Sequence, residues 1–123
     1  MCGIVGYLGP KNALVPVVDG LKALEYRGYD SWGLLVQDED RYMRQVGLGA
    51  PSVYFTSERK SALDARGWPG KVGIAHTRWA THGKPSVENA HPVAGTPAPP
   101  FPGAEVLMRE TTWVVHNGVI TNH

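Results

Sequence analysis

Cys2 is the single cysteine among 123 residues and directly follows Met1. Initiator methionine is generally removed when the second residue is small, and cysteine is small. Its removal places a free α-amine and a thiol on one residue. An α-amine titrates near ~7.7–8.0 and a thiol near ~8.5. Nucleophile and general base then sit together at neutral pH without needing a histidine. Gly3 lets the backbone come close to a substrate. If Met1 stays, the amine becomes an amide and the base is lost. A lone cysteine is more commonly an inert, buried, small hydrophobe. Its place at position two sets Cys2 apart from that case.

Other chemistries fit less well. His76, His82, His91 and His116 are numerous, but their intervals make neither a zinc finger nor an HExxH site, and no metal is expected. Gly3, Gly6 and Gly9 make no GxGxxG and have no Walker lysine, so no phosphate cradle is expected either. No cofactor is implied.

A nucleophile at the chain end needs a strand to hold it. Cys2 to Leu8 is small and β-branched with flanking glycine, and reads as a buried strand. Asn12 is placed to cap a helix with apolar positions Val15, Val18, Leu21 and Leu24. Pro16 falls near its first turn, and Gly28 is its expected stop. Leu34 to Val36 and Tyr42 to Val46 read as a hairpin around Asp38-Glu39-Asp40. Ser57 to Ala65 is weakly helical, ended by Gly67, Pro69 and Gly70. Val72 to Thr77 and Trp113 to His116 are further strands. Between them Pro92 to Gly103, with Pro97, Pro99, Pro100 and Pro102, reads as loop. There is no internal repeat and no linker. Strands with two helical segments predict one α+β domain.

Composition narrows the partners. Apolar residues are 42% and charged residues 19%, which predicts a folded globule. The net charge of +1 offers nothing to attract a polyanion, so no nucleic acid is expected. No apolar run approaches the ~20 residues that span a bilayer, and no signal peptide is evident, so no membrane is expected. One cysteine cannot form an internal disulfide, which agrees with a cytoplasmic location.

Several strings go beyond composition: Cys2-Gly3-Ile4-Val5-Gly6; Leu24-Glu25-Tyr26-Arg27-Gly28-Tyr29-Asp30-Ser31; Gly73 to Gly83, which reads GIAHTRWATHG; Asn89-Ala90-His91-Pro92; and His116-Asn117-Gly118. Their order and spacing resemble the N-terminal glutaminase domain of the glutamine–fructose-6-phosphate aminotransferases. That family is a branch of the class II glutamine amidotransferases, which have the Ntn-hydrolase fold. The opening CGI is shared by several amidotransferases. EYRGYDS and HTRWATHG point to the sugar-phosphate branch. The resemblance runs, with gaps, from Cys2 to about His123.

The resemblance implies a four-layer αββα sandwich, with residues 1–123 forming only its N-terminal part. It implies that Cys2 attacks the carboxamide of L-glutamine, giving a γ-glutamyl thioester and ammonia, before water releases glutamate. Arg78 matches the arginine that grips the glutamine α-carboxylate, and a guanidinium offers that carboxylate a bidentate fork. Trp79, Thr81 and His82 match the rest of the glutamine-binding loop. Asn117 and Gly118 match the oxyanion hole, where one donor is worth roughly 2.7–4 kcal/mol. Asn-Gly is also a type I′ turn signal, and the two roles are compatible. Arg27 and Asp30 are expected to support the fold around the N-terminus. Fructose 6-phosphate would be met only through isomerase domains that this chain lacks. Homo-oligomeric assembly is implied for the family.

Three departures from the pattern stand out. Trp32 takes a place where the family keeps a small residue, and overpacking there costs roughly 1–3 kcal/mol unless neighbours adjust. Val93 to Arg109 is longer and richer in proline than the usual link, an insertion that loop-closure entropy tolerates. The chain also stops at His123, before the aspartate that binds the α-amino group of glutamine. The alternative reading is therefore a catalytically incomplete piece that binds or regulates.

Overall fold

The alternation of side chains along Ser31–Gln37 divides the molecule into two faces. Trp32, Leu34 and Val36 point one way, into a buried apolar cluster. Ser31, Gly33 and Leu35 point the other way, as period-two geometry requires. In this computed structural model the described residues are 1–39, 41–67, 70–81, 83–95 and 111–118. The strands are β1 (Gly3–Leu8), β2 (Ser31–Gln37), β3 (Tyr42–Leu48), β4 (Val72–Arg78), β5 (Val93–Gly95) and β6 (Thr112–Val114). The first four form one antiparallel sheet in the order β1-β4-β2-β3, and β5 and β6 form a second, two-stranded sheet. β4 lies between β1 and β2, with Ile4 opposite His76 and Gly33 opposite His76 on the other side.

Helix α1 (Leu14–Ala23) covers the apolar face of the first sheet. Its buried positions are Leu14, Val17, Val18 and Leu21, a 3.6-residue stripe. The expected stripe of Val15, Val18, Leu21 and Leu24 is thus shifted: Val15 and Leu24 are only half-buried. The helix also ends earlier than Gly28 suggests. Leu24 closes it and leads into a 3₁₀ turn, Glu25–Arg27. The N-cap position is Ala13 rather than the expected Asn12, although Asn12 Oδ1 still accepts the Leu14 N–H at 2.9 Å. Pro16 sits in the first turn, where its missing N–H costs nothing.

A one-turn helix α2 (Pro51–Tyr54) carries no sequence period and went unpredicted. Helix α3 (Ser57–Ala65) follows the expected bounds, with the Thr56 side chain accepting the Arg59 N–H at its start and Gly67 at φ +62° after its end. Tyr54 and Phe55 bring their rings to 4.8 and 4.7 Å from Trp32. The indole is 1% exposed, and the room for it comes from Gly47, where a Cβ would lie 2.5 Å from the ring. The neighbours have therefore adjusted to Trp32.

The second sheet lies against the opposite face. The Tyr42 and Trp113 rings meet at 4.9 Å, and the His91 carbonyl approaches the bare Cα of Gly33. Val93–Gly95, read as loop, is strand because Val93, Ala94 and Gly95 pair with Val114, Trp113 and Thr112. The strand expected at Trp113 to His116 runs from Thr112 to Val114 instead. Pro97, Pro99, Pro100 and Pro102 lie outside the described residues, as does most of Val93 to Arg109. Helix, sheet and second sheet supply three layers of an αββα arrangement among the described residues. None of the described helices is long and apolar enough to cross a membrane.

Candidate active site

The strand that places Cys2 is held by its neighbour. Gly3 pairs with Thr77, and its N–H donates to Thr77 Oγ1 at 3.1 Å. Cys2 precedes that pair, and Arg78 follows it on the adjacent strand. Alternation then turns Cys2, His76 and Arg78 to one face, away from α1. The end of β4 is braced from behind. A Cβ on Gly28 would lie 2.6–2.8 Å from backbone atoms of Arg78 and Trp79, so only glycine fits there. The Asp30 N–H donates to the Arg78 carbonyl at 3.1 Å, and Asp30 Oδ2 accepts the Ala80 N–H at 2.7 Å. Asp30 therefore supports the fold around the end of β4. The Tyr29 and Trp79 rings meet edge-on at 5.7 Å.

On this face lies an open cavity of about 840 Å³. Cys2, Arg78, Trp79, Thr81, Asn117 and Gly118 all line it. Six of the seven residues singled out from sequence are thus brought together from both ends of the chain. The seventh, His82, lies outside the described residues. Cys2 is half-buried and Trp79 is 45% exposed, so both are within reach of a solute. Gly118 has φ +150°, a backbone conformation that L side chains rarely adopt. Met1 also lines the cavity.

The cavity contains residues that sequence reasoning left aside. His76, His91 and His116 line it, with Glu88 and Asn89. The His76 and His91 rings stack at 4.7 Å, 29° from parallel. Nδ1 of His91 accepts the backbone N–H of His116 at 3.0 Å. His76 is 1% exposed and its pKa falls from 6.5 to about 4. Burial is the main cause, the charges of His91, Arg78 and His116 add to it, and the His116 backbone opposes it. Burial also lowers the pKa of His91, with Arg78, His116 and Arg44 adding to the effect. Both rings are therefore neutral at pH 7. The NAHP and HNG strings contained His91 and His116. The signal that could have grouped them was their shared neighbourhood with HTR, which only the approach of the β5-β6 sheet to β4 reveals. Among the described residues no group of three or more His, Cys, Asp or Glu is placed to hold a metal ion.

The chain has relatives over essentially its whole length. It is 42% identical over 122 residues to the glutamine–fructose-6-phosphate aminotransferase [isomerizing] of Chlamydia caviae, covering 99% of this chain and 17% of that protein. The Pyrococcus horikoshii protein of that name is 43% identical over 122 residues, covering 99% and 18%. The Pseudomonas putida one is 44% identical over 124 residues, covering 100% and 17%. The chain thus spans about a sixth of the length of these relatives. No family model matches it. In fold it is similar to the glutamine phosphoribosylpyrophosphate amidotransferase of B. subtilis, with TM-score 0.61 and 24% identity over 80% of this chain and 19% of that one. It is also similar to a structure described as the allosteric regulatory enzyme of purine biosynthesis, with TM-score 0.62 and 26% identity over 76% and 19%. The chain is homologous to a segment of the glutamine–fructose-6-phosphate aminotransferases, and its fold is that of the Ntn-type glutamine amidotransferases.

Proposed function

We propose that this chain carries the glutamine-hydrolysing site of an aminotransferase that delivers ammonia to fructose 6-phosphate. The observation that supports it is the convergence of Cys2, Arg78, Trp79, Thr81, Asn117 and Gly118 on one cavity. With Met1 removed, the α-amine of Cys2 takes the thiol proton and Sγ attacks the carboxamide carbon of glutamine. The Asn117 amide and the Gly118 N–H stabilise the tetrahedral oxygen. The amine returns the proton to the leaving nitrogen, the C–N bond breaks, and ammonia departs. Water then attacks the γ-glutamyl thioester, releasing glutamate and restoring the thiol. Arg78 holds the α-carboxylate as a bidentate fork. Trp79, Thr81 and His82 are assigned to the same glutamine-binding loop. Among the described residues lining the cavity the one carboxylate is Glu88. An aspartate for the substrate's α-amino group belongs to sequence beyond this segment, as do the isomerase domains that bind the sugar phosphate. In this reading the working protein is a longer enzyme, cytoplasmic and homo-oligomeric.

Removal of Met1 does two things at once: it frees the amine and clears side-chain volume from the cavity, which Met1 lines. The test is intact mass together with glutamine turnover in the whole protein. The mature form should lack Met1, and Cys2→Ala should abolish ammonia release. Unchanged ammonia release in that variant would refute Cys2 as the nucleophile.

A further inference from the structure

Asn117 and Gly118 follow the short strand β6 and are exposed, so the fold must hold them from behind. The hold is at His116, whose backbone N–H donates to Nδ1 of His91 at 3.0 Å. His91 is itself fixed on several sides. Arg44 of β3 donates from Nε to the Pro92 carbonyl at 2.8 Å and from Nη2 to the Ala90 carbonyl at 2.9 Å, bridging the carbonyls of the residues on either side of His91. The missing side chain of Gly33 lets the His91 carbonyl press against β2. The ring stacks on His76 of β4.

We propose that His91 is a positioning residue for the glutaminase reaction: its Nδ1 lone pair sets the place of the Asn117–Gly118 arm, and Arg44 sets the place of His91. The proposal rests on the reading of Asn117 and Gly118 as oxyanion donors, and it adds what aims them. Oxyanion donors act only when held within a few tenths of an ångström of the developing charge, and a shift of ~1 Å can cost on the order of 10²-fold in rate. An acceptor is required at Nδ1, so the ring is neutral with its proton on Nε2. The groups that face His91 are His76 and Arg78 from β4, Arg44 from β3, His116 from the arm, and Glu88 from the cavity wall. The cations among them favour the neutral ring. A doubly protonated imidazole would turn a donor toward the His116 N–H and release the arm.

The test compares His91→Phe, which keeps a stacking ring without the lone pair, with His91→Asn, which restores an acceptor near the Nδ1 position. Both are made in the full-length mature protein. Phe should lower kcat for glutamine hydrolysis roughly 10–100-fold with KM changed less than about threefold. Asn should recover most of that loss. Hydrogen exchange at the His116 amide gives a readout apart from activity: protection should fall in the Phe variant and persist in the Asn variant. Should Phe not fold, Asn alone decides, by keeping or losing that protection together with kcat. Equal impairment by Phe and Asn, or a Phe variant with wild-type kcat and exchange, would overturn the proposal. Failure of the underlying reading would look different: Asn117→Ala would keep wild-type kcat, whatever the exchange at His116.

Discussion

The Gly3 N–H donates to Thr77 Oγ1 at 3.1 Å, and that hydroxyl in turn donates to the Leu24 carbonyl at 3.4 Å. One buried side chain thereby joins three segments that are far apart in sequence. They are the start of β1 behind Cys2, the end of β4 before Arg78, and the close of α1. The fit is tight, since a Cβ on Gly3 would lie 2.8 Å from both Thr77 Oγ1 and Leu24 Cβ. Cys2 and the Arg78 guanidinium are thus held relative to each other by the residues next to them.

Thr77→Val keeps the shape and removes the hydroxyl. It leaves the Gly3 N–H and the Leu24 carbonyl without this partner at a site that is 0% exposed. An unsatisfied buried group costs ~1–3 kcal/mol, so urea unfolding should show a loss in that range. Glutamine turnover should fall with it, because the start of β1 beside Cys2 loses one of its ties to β4. Thr77→Ser keeps the hydroxyl and should lie near wild type on both measures. A valine variant with wild-type stability would show that the Gly3 contact carries no weight.

Arg78→Lys replaces a planar fork with a point charge. In the proposed site this raises KM for glutamine by roughly tenfold or more, the scale of ~1.5–3 kcal/mol for a charged hydrogen bond, with kcat less affected. A glutamine analogue without the α-carboxylate gives the sharper check. Wild type should handle it far worse than glutamine, whereas the lysine variant should discriminate little between the two. Equal discrimination by both proteins would remove Arg78 from the carboxylate.

Much of this is legible in the sequence, for reasons that differ by element. Cys2, Arg78 and Asn117 sit in strings whose order survives the gaps between them, and those strings meet at one cavity. The ends of β2 and β3 were read too short because Ser31, Trp32, Gly47 and Leu48 do not alternate as a half-exposed strand does. β2 is buried on both faces, so periodicity has little to report there. The face of α1 was misread by one position because Leu24 is apolar and in phase, yet belongs to the cap rather than the helix. β5 was hidden beside a proline-rich run, since a three-residue strand has no period of its own. The histidine group was illegible because His76, His91 and His116 meet only where the two sheets face each other.

Gly47 and Trp32 make a complementary pair that can be tested as one. Gly47→Ala puts a methyl 2.5 Å from the buried indole and should cost roughly 1–3 kcal/mol by overpacking. Trp32→Leu alone should also destabilise, by leaving Tyr54 and Phe55 without their partner ring, on the scale of ~3–5 kcal/mol for a large core truncation. In the double variant the new methyl meets space rather than a ring. The two losses should therefore be less than additive, with a coupling of ~0.5–3 kcal/mol by chemical denaturation. Strict additivity would mean that the glycine is there for the backbone and not for the indole.

His76 makes stability depend on acidity in a defined window. Its pKa is 6.5 when exposed and about 4 in the fold. The unfolded chain therefore binds this proton first as pH drops. The neutral, buried ring contributes its full stability above pH ~6.5, loses it progressively down to pH ~4, and has none left to lose below that. At 1.36 kcal/mol per unit the loss approaches roughly 3 kcal/mol. His91 is shifted in the same direction and adds to the slope. Glu58 and Glu88 are lowered from 4.5, so their contributions are lost at lower pH, as it falls below that value. Between pH 6.5 and 4.5 the histidines should dominate. Urea midpoints across that range should fall steeply for wild type and less steeply for His76→Gln, which places no titrating ring in the cluster. If the two slopes coincide, the buried proton site is not at His76.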